Sequence, residues 1–195
     1  MLNIAITGGI GAGKSCVTSY LTEKGYTVID ADKMSREMTA AGGKAMPYIL
    51  EHFGPGFINE DGSLNRAAMR DLVFREPKYM PILEAGTTAV VIEDIDAIRK
   101  EEEQRGTKVL FYDIPLLFEK HKEDEYDRVW VVTADRNLKA ERIMKRDKID
   151  PSIIDLIIES QADDDFRISK ADVVFYNNGT IEELHDLVDA ELSKI

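Results

Sequence analysis

A chain of 195 residues with 44% hydrophobic content can bury one sizeable core and carry an inserted subdomain, but it is too short for two large domains. Its net charge of −12 argues against broad binding to nucleic acid or to anionic membranes, since both need a basic face; any phosphate binding must be local. A single cysteine, Cys16, rules out an intramolecular disulfide, and His52, His121 and His185 show no metal-ligand spacing. No N-terminal signal pattern and no run long enough to span a membrane is present, so a cytosolic protein is expected.

Leu2, Ile4 and Ile6 read as a first strand running into Gly8-Gly9-Ile10-Gly11-Ala12-Gly13-Lys14-Ser15, a match to G-x-x-x-x-G-K-[ST]. Val17, Tyr20 and Leu21 then follow at helical spacing, with Lys24-Gly25 as the stop. A strand that ends in a glycine-rich loop and opens a helix turns several backbone N–H groups into one concavity, and the helix N-terminus adds partial positive charge. Gly9, Gly11, Ala12 and Gly13 are therefore expected to cradle a polyphosphate, Lys14 to reach the β- and γ-phosphates, and Ser15 to ligate Mg²⁺. Cys16, in the first turn, reads as a small packing residue beside that site. Tyr26 to Asp30 reads as a second parallel strand ending in Asp30-Ala31-Asp32, at the sheet edge where ligands bind in open α/β folds. Asp30 reads partly as the N-cap of a helix over Lys33 to Thr39, and Asp32 as a carboxylate facing the γ-phosphate.

From Ala40 to Arg105 the strand–helix alternation stops and a mostly helical insertion is predicted, with a long helix from Pro81 to Arg105 weakened at Gly86-Thr87-Thr88. Lys108 to Asp113 reads as a buried strand ending in a second carboxylate on the Mg²⁺ side, and Pro115 to Glu119 as an apolar loop or short helix. After a strand at Val129 to Val132, a helix over Asn137 to Asp147 places Arg142 and Arg146 on one face. Such a stack suits a polyphosphate beside it, or else ion pairs to Glu141 and Asp147. Pro151 to Ser160 is a predicted helix with Ile153, Ile154, Ile157 and Ile158 inward, and Gln161 to Lys170 a charged, mobile segment. In that segment Asp163-Asp164-Asp165 reads as solvated or capping, not as a metal cluster. Val173 to Phe175 makes the last strand, Asn177-Asn178-Gly179 a turn, and Thr180 with Glu183 a capping box.

The loop fixes the ligand as a Mg-nucleotide and leaves open where the γ-phosphate goes. No D-x-x-G or N-K-x-D occurs, which removes the guanine-reading switch proteins, and Ile114 stands after Asp113 where many ATPases carry a glutamate. An early acid, a helical insertion and a late arginine pair match the layout of a small-molecule kinase. The ordered series Ile6 to Ser15, Val28 to Asp32 with Arg36, His52-Phe53-Gly54, Asp61 to Arg66, Val73-Phe74, Asp113 to Glu119, Arg142 with Arg146-Asp147, Ser160-Gln161, Ala171 to Val174 and Asn177 to Thr180 resembles the dephospho-CoA kinase family along nearly the whole chain. Thr88-Ala89 replaces the family's usual His-Pro, Cys16 replaces a frequent threonine, and a glutamine often seen near Lys139-Ala140 is missing.

The resemblance implies an α/β P-loop fold, with a parallel sheet flanked by helices. Residues 1–39 and 106–195 would form the nucleotide-binding core, with a lid at about 135–168, and residues 40–105 the acceptor region. It implies phosphorylation of the ribose 3′-hydroxyl of dephospho-CoA by ATP with Mg²⁺, in a monomer. Asp32 would orient or deprotonate the acceptor hydroxyl, Lys14, Arg142 and Arg146 would stabilise the transferring group, and Ser15 and Asp113 would serve the metal. The loop residues, Cys16 included, would hold the nucleotide, and Asn177 would meet the adenine or simply form a turn. Arg36 and Arg66 would meet the acceptor's phosphates, or else make surface ion pairs, and Leu116 would line the acceptor site. The runner-up readings are a nucleoside or nucleoside-monophosphate kinase and a non-catalytic ATP-binding relative.

Overall fold

The apolar runs of the sequence become a five-stranded sheet in the structure, a computed structural model that describes residues 1–147, 154, 158 and 161–195. The strands are β1 (Leu2–Gly8), β2 (Val28–Asp30), β3 (Val109–Asp113), β4 (Arg128–Thr133) and β5 (Val173–Tyr176), in the spatial order β2-β3-β1-β4-β5. Parallel pairing sets Ile4 of β1 beside Phe111 of β3 and beside Arg128 of β4, while Val131 of β4 faces Val174 of β5. Because β1 lies between β3 and β4, its C-terminal end opens at the point where the strand order changes direction. Crossover connections diverge there and leave a crevice for a ligand.

The chain divides into two compact units, Met1–Ile29 with Gly106–Ile195, and Asp30–Arg105. In the first, both faces of the sheet are covered, as a parallel sheet with helical crossovers requires. Ile4 and Ile6 point to one face, where Val17 and Leu21 of α1 (Lys14–Glu23), Trp130, Phe175 and Leu184 complete a core. Ala5, Val129 and Val131 point to the other, against Leu117 and Phe118. Trp130 is fully buried, with its ring centroid 5.2 Å from Phe111 and 5.3 Å from Phe175. Among the described residues this unit also holds α7 (Arg136–Asp147), α8 (Asp164–Lys170) and α9 (Ile181–Leu192). The expected capping box opens α9: Glu183 N–H donates to Thr180 Oγ1, and Thr180 N–H to the Glu183 carboxylate.

The second unit holds α2 (Ala31–Met38), α3 (Met46–Phe53), α4 (Arg66–Arg75), α5 (Met80–Gly86) and α6 (Thr88–Gln104) around Met38, Met46, Ile49, Met69, Val73 and Val91. Asp30 caps α2, its Oδ1 accepting from Lys33 N–H at 2.8 Å.

Two expectations are corrected. The helix predicted from Pro81 to Arg105 is two helices, because Thr87 leaves the helical region at φ −125° and its hydroxyl donates back to Leu83 O at 2.7 Å. The segment read as mobile contains α8, capped by Asp163, and Arg167 within it is only 2% exposed, because its charge is paired inside the unit. In the predicted helix over Pro151 to Ser160, Ile154 and Ile158 are helical and Ile153 and Ile157 lie outside the described residues.

Gly86 meets the Tyr48 ring so closely that a Cβ built on it would fall 1.9 Å from a ring carbon. Helix propensity alone favours alanine there by about 1 kcal/mol, whereas overpacking costs about 1–3 kcal/mol. Gly86→Ala is expected to lower stability in urea unfolding. A gain would mean that Tyr48 moves aside at no cost.

Candidate active site

The loop after β1 takes its shape from a small set of hydrogen bonds. Within it, Ala12 N–H donates to Gly9 O at 3.1 Å and Cys16 N–H to Gly13 O at 2.9 Å. Gly13, the N-cap of α1, has φ 97°, and a Cβ there would fall 2.1 Å from Asn177 Nδ2, so both the backbone and the neighbour demand glycine. Asn177 follows β5 and is held by its own N–H to Thr133 O at 2.7 Å. Its side-chain amide donates to Ala12 O at 2.8 Å in a buried bond. From α7, Arg142 Nη1 reaches Gly11 O at 3.4 Å and Nη2 donates to Asn177 O at 2.9 Å. Engaging the carbonyls of Gly9, Gly11, Ala12 and Gly13 turns them away from the concavity, which is what a phosphate needs.

Lys14 Nζ pairs with Asp113 at the end of β3, and Asp113 is buried by the sheet. Ser15 is exposed on the first turn of α1, whereas Cys16 packs half-buried against the core, the role expected of it. Among the described residues no cluster of three or more metal-ligating side chains occurs. Mg²⁺ is commonly held by one or two carboxylates together with substrate phosphates. Ser15 and Asp113 are suitable donors.

The first unit thus brings together the loop, Lys14, Asp113, Arg142 and Asn177. Arg146 is exposed one turn along α7 from Arg142, and Leu116 is exposed in the turn after β3. In the second unit, Asp32 is exposed on the first turn of α2 and Arg36 on its last. Arg66, at the start of α4, donates to Thr39 Oγ1 at 2.5 Å.

Sequence reasoning passed over an ion chain beside the loop whose two cations are buried. Lys139 Nζ of α7 pairs with Asp164, Arg167 Nη1 with Asp164 at 3.2 Å, and Arg167 Nη2 with Glu119 at 2.9 Å. Lys139 and Arg167 are nearly inaccessible, and Gln161 Oε1 accepts from Ile10 N–H at 2.8 Å. A cavity of about 260 Å³ is lined by Gly9, Ile10, Lys139, Gln161, Asp164 and Arg167. The advance signals are the density of charge around a single arginine in residues 161–170 and the presence of Gln161 and Glu119 in the segments that carry the family resemblance.

A family model described as dephospho-CoA kinase matches residues 2–183. The chain belongs to the dephospho-CoA kinase family. A dephospho-CoA kinase of Corynebacterium glutamicum is 37% identical over 184 residues, covering 94% of each chain. One from Bordetella pertussis is 40% identical over 183 residues, covering 92% of this chain and 83% of the relative. Among solved structures, a Thermus thermophilus protein superposes with a TM-score of 0.75 at 28% identity, over 100% of this chain and 97% of that one. The fold is shared with a Campylobacter jejuni dephospho-CoA kinase, with a TM-score of 0.65 at 22% identity over 98% and 96% of the two chains. Membership makes the P-loop kinase layout a property of the family.

Burial opposes ionisation of Glu119, but the Ala162 N–H and the Arg167 guanidinium outweigh it and hold the carboxyl below its ordinary value of 4.5. A carboxyl depressed by folding stabilises the protein fully above its unfolded value, and that contribution is lost as pH falls through the folded one. Glu119→Gln should therefore be less stable than the parent at neutral pH, with the difference shrinking as pH drops below 4.5. Thermal unfolding across pH 3 to 7, as an order-of-magnitude window about that carboxylate range, checks this. A difference independent of pH would remove the ionised form from the account.

Proposed function

We propose that this chain transfers the γ-phosphoryl group of ATP to the ribose 3′-hydroxyl of dephospho-CoA, giving CoA and ADP as the last step of CoA biosynthesis. The observation that carries this reading is the family match across residues 2–183, which includes a complete phosphate loop. The loop geometry supports it, since the loop carbonyls are engaged elsewhere and a cation, Lys14, stands beside it.

The reaction needs an oxygen–phosphorus bond to form at the acceptor, the bond from γ-phosphorus to the bridging oxygen to break, and the acceptor proton to leave. Asp32 takes or orients that proton. Lys14 leaves Asp113 for the β- and γ-oxygens, and the loop amides with Arg142 and Arg146 offset the charge that spreads over the transferring group. Ser15 and Asp113 would hold Mg²⁺, whose chemistry there would be neutralisation of phosphate charge. Gly9, Gly11, Ala12, Gly13, Cys16 and Asn177 line the nucleotide side. Arg36, Arg66 and Leu116, with the helical residues 40–105, serve the acceptor, and residues 135–168 act as the lid that excludes water. The protein works as a cytoplasmic monomer.

With purified protein and Mg-ATP, ADP release is expected to require dephospho-CoA and to yield CoA in equal amount. Release supported by a nucleoside instead would overturn the acceptor. Asp32→Asn should lower kcat by about 10²- to 10⁴-fold, the range for a general base, with ATP affinity near that of the parent. An equal loss of ATP affinity would assign Asp32 to the metal or the fold.

A further inference from the structure

We propose that Gln161 is a positioning residue for the phosphate loop, tying Ile10 to an ion chain that spans α7, α8 and the turn after β3. The proposal rests on the kinase reading only in taking the loop as the seat of a nucleotide's β-phosphate. Ile10 N–H is the loop amide that a side chain from elsewhere in the unit accepts, with Gln161 Oε1 at 2.8 Å. It lies at the opening of the loop, one residue before Gly11, whose carbonyl Arg142 meets. Gln161, Arg142 and Asn177 thus grip three successive residues, Ile10, Gly11 and Ala12.

Gln161 can grip only if it is itself held, and the structure shows how. Its own N–H donates to Ile158 O at 3.3 Å, and the next N–H, of Ala162, donates to Glu119 Oε1 at 2.9 Å. The same Glu119 oxygen takes Arg167 Nη2 at 2.9 Å, and Arg167 reaches Asp164, which meets Lys139. Lys139 lies one turn before Arg142 on α7, so the helix that holds Gly11 O also anchors the chain that places Gln161. These side chains close over Gly9, where an added Cβ would stand 3.1 Å from Arg167 Nη1 and 3.6 Å from Gln161 Oε1. Buried ion pairs contribute little net stability because desolvation offsets their attraction, but parting one leaves an uncompensated charge at high cost, so the partners stay together. That suits a device that fixes where an amide acceptor sits.

Such a residue affects binding of any nucleotide with a β-phosphate and leaves the acceptor alone. Gln161→Met keeps the length and removes the acceptor, and Gln161→Ala removes both. Each is expected to weaken ADP binding, measured by calorimetry, by about five- to tenfold, as for one hydrogen bond to a well-held group. The KM for ATP should rise in parallel. The KM for dephospho-CoA should stay near its parental value. Unchanged ADP affinity would overturn the proposal. So would a fall in melting temperature with both KM values rising together, which would make Gln161 merely structural. ADP binding reports on the loop whatever the acceptor proves to be, so failure here is distinct from failure of the kinase assignment.

Discussion

Binding a polyphosphate to a protein of net charge −12 is a problem of local geometry, because the molecule as a whole repels the ligand. Backbone N–H groups solve it only when the carbonyls that alternate with them are turned elsewhere and kept there. In this chain Gly9 O and Gly13 O are engaged inside the loop, Ala12 O by Asn177 and Gly11 O by Arg142. The sheet order serves that constraint. With β1 between β3 and β4, the loop emerges where Asp113 ends one neighbour and Thr133 ends the other, and Thr133 O fixes Asn177.

The charges around the loop divide into two kinds. Lys14 and Asp113 form a pair that nucleotide and metal would separate, each partner acquiring a new counter-charge. The chain Lys139–Asp164–Arg167–Glu119 balances itself, with its cations buried and its carboxylates half-buried, so nothing in it has to part for the ligand. A pair that must exchange partners belongs where chemistry occurs. A chain that must not belongs in the support behind it.

Much of this was legible in the sequence, for physical reasons that also mark its limits. The phosphate loop, the five strands and the Thr180 capping box are local patterns, in which spacing of a few residues dictates the outcome. Asn177 was legible as a turn but not as the donor to Ala12 O, 165 positions away, because no local periodicity encodes that contact. Arg167 falls in a hydrophilic run, and such runs are usually solvated. Its burial depends on Glu119, 48 positions earlier. The break between α5 and α6 was foreseen as a weakness at Gly86, and it became a true break through Thr87 and the contact of Gly86 with Tyr48.

The central claim is that the phosphate loop is held in its binding shape before any nucleotide arrives. Site-resolved amide hydrogen exchange on the nucleotide-free protein tests it directly, at Ile10 N–H, bonded to Gln161, and Ala12 N–H, bonded to Gly9 O. Protection of both amides well above that of an unstructured chain, with little further gain on adding ADP, is the predicted result. Exchange of both at unprotected rates until ADP is added would show that the nucleotide, and not the protein, shapes the loop.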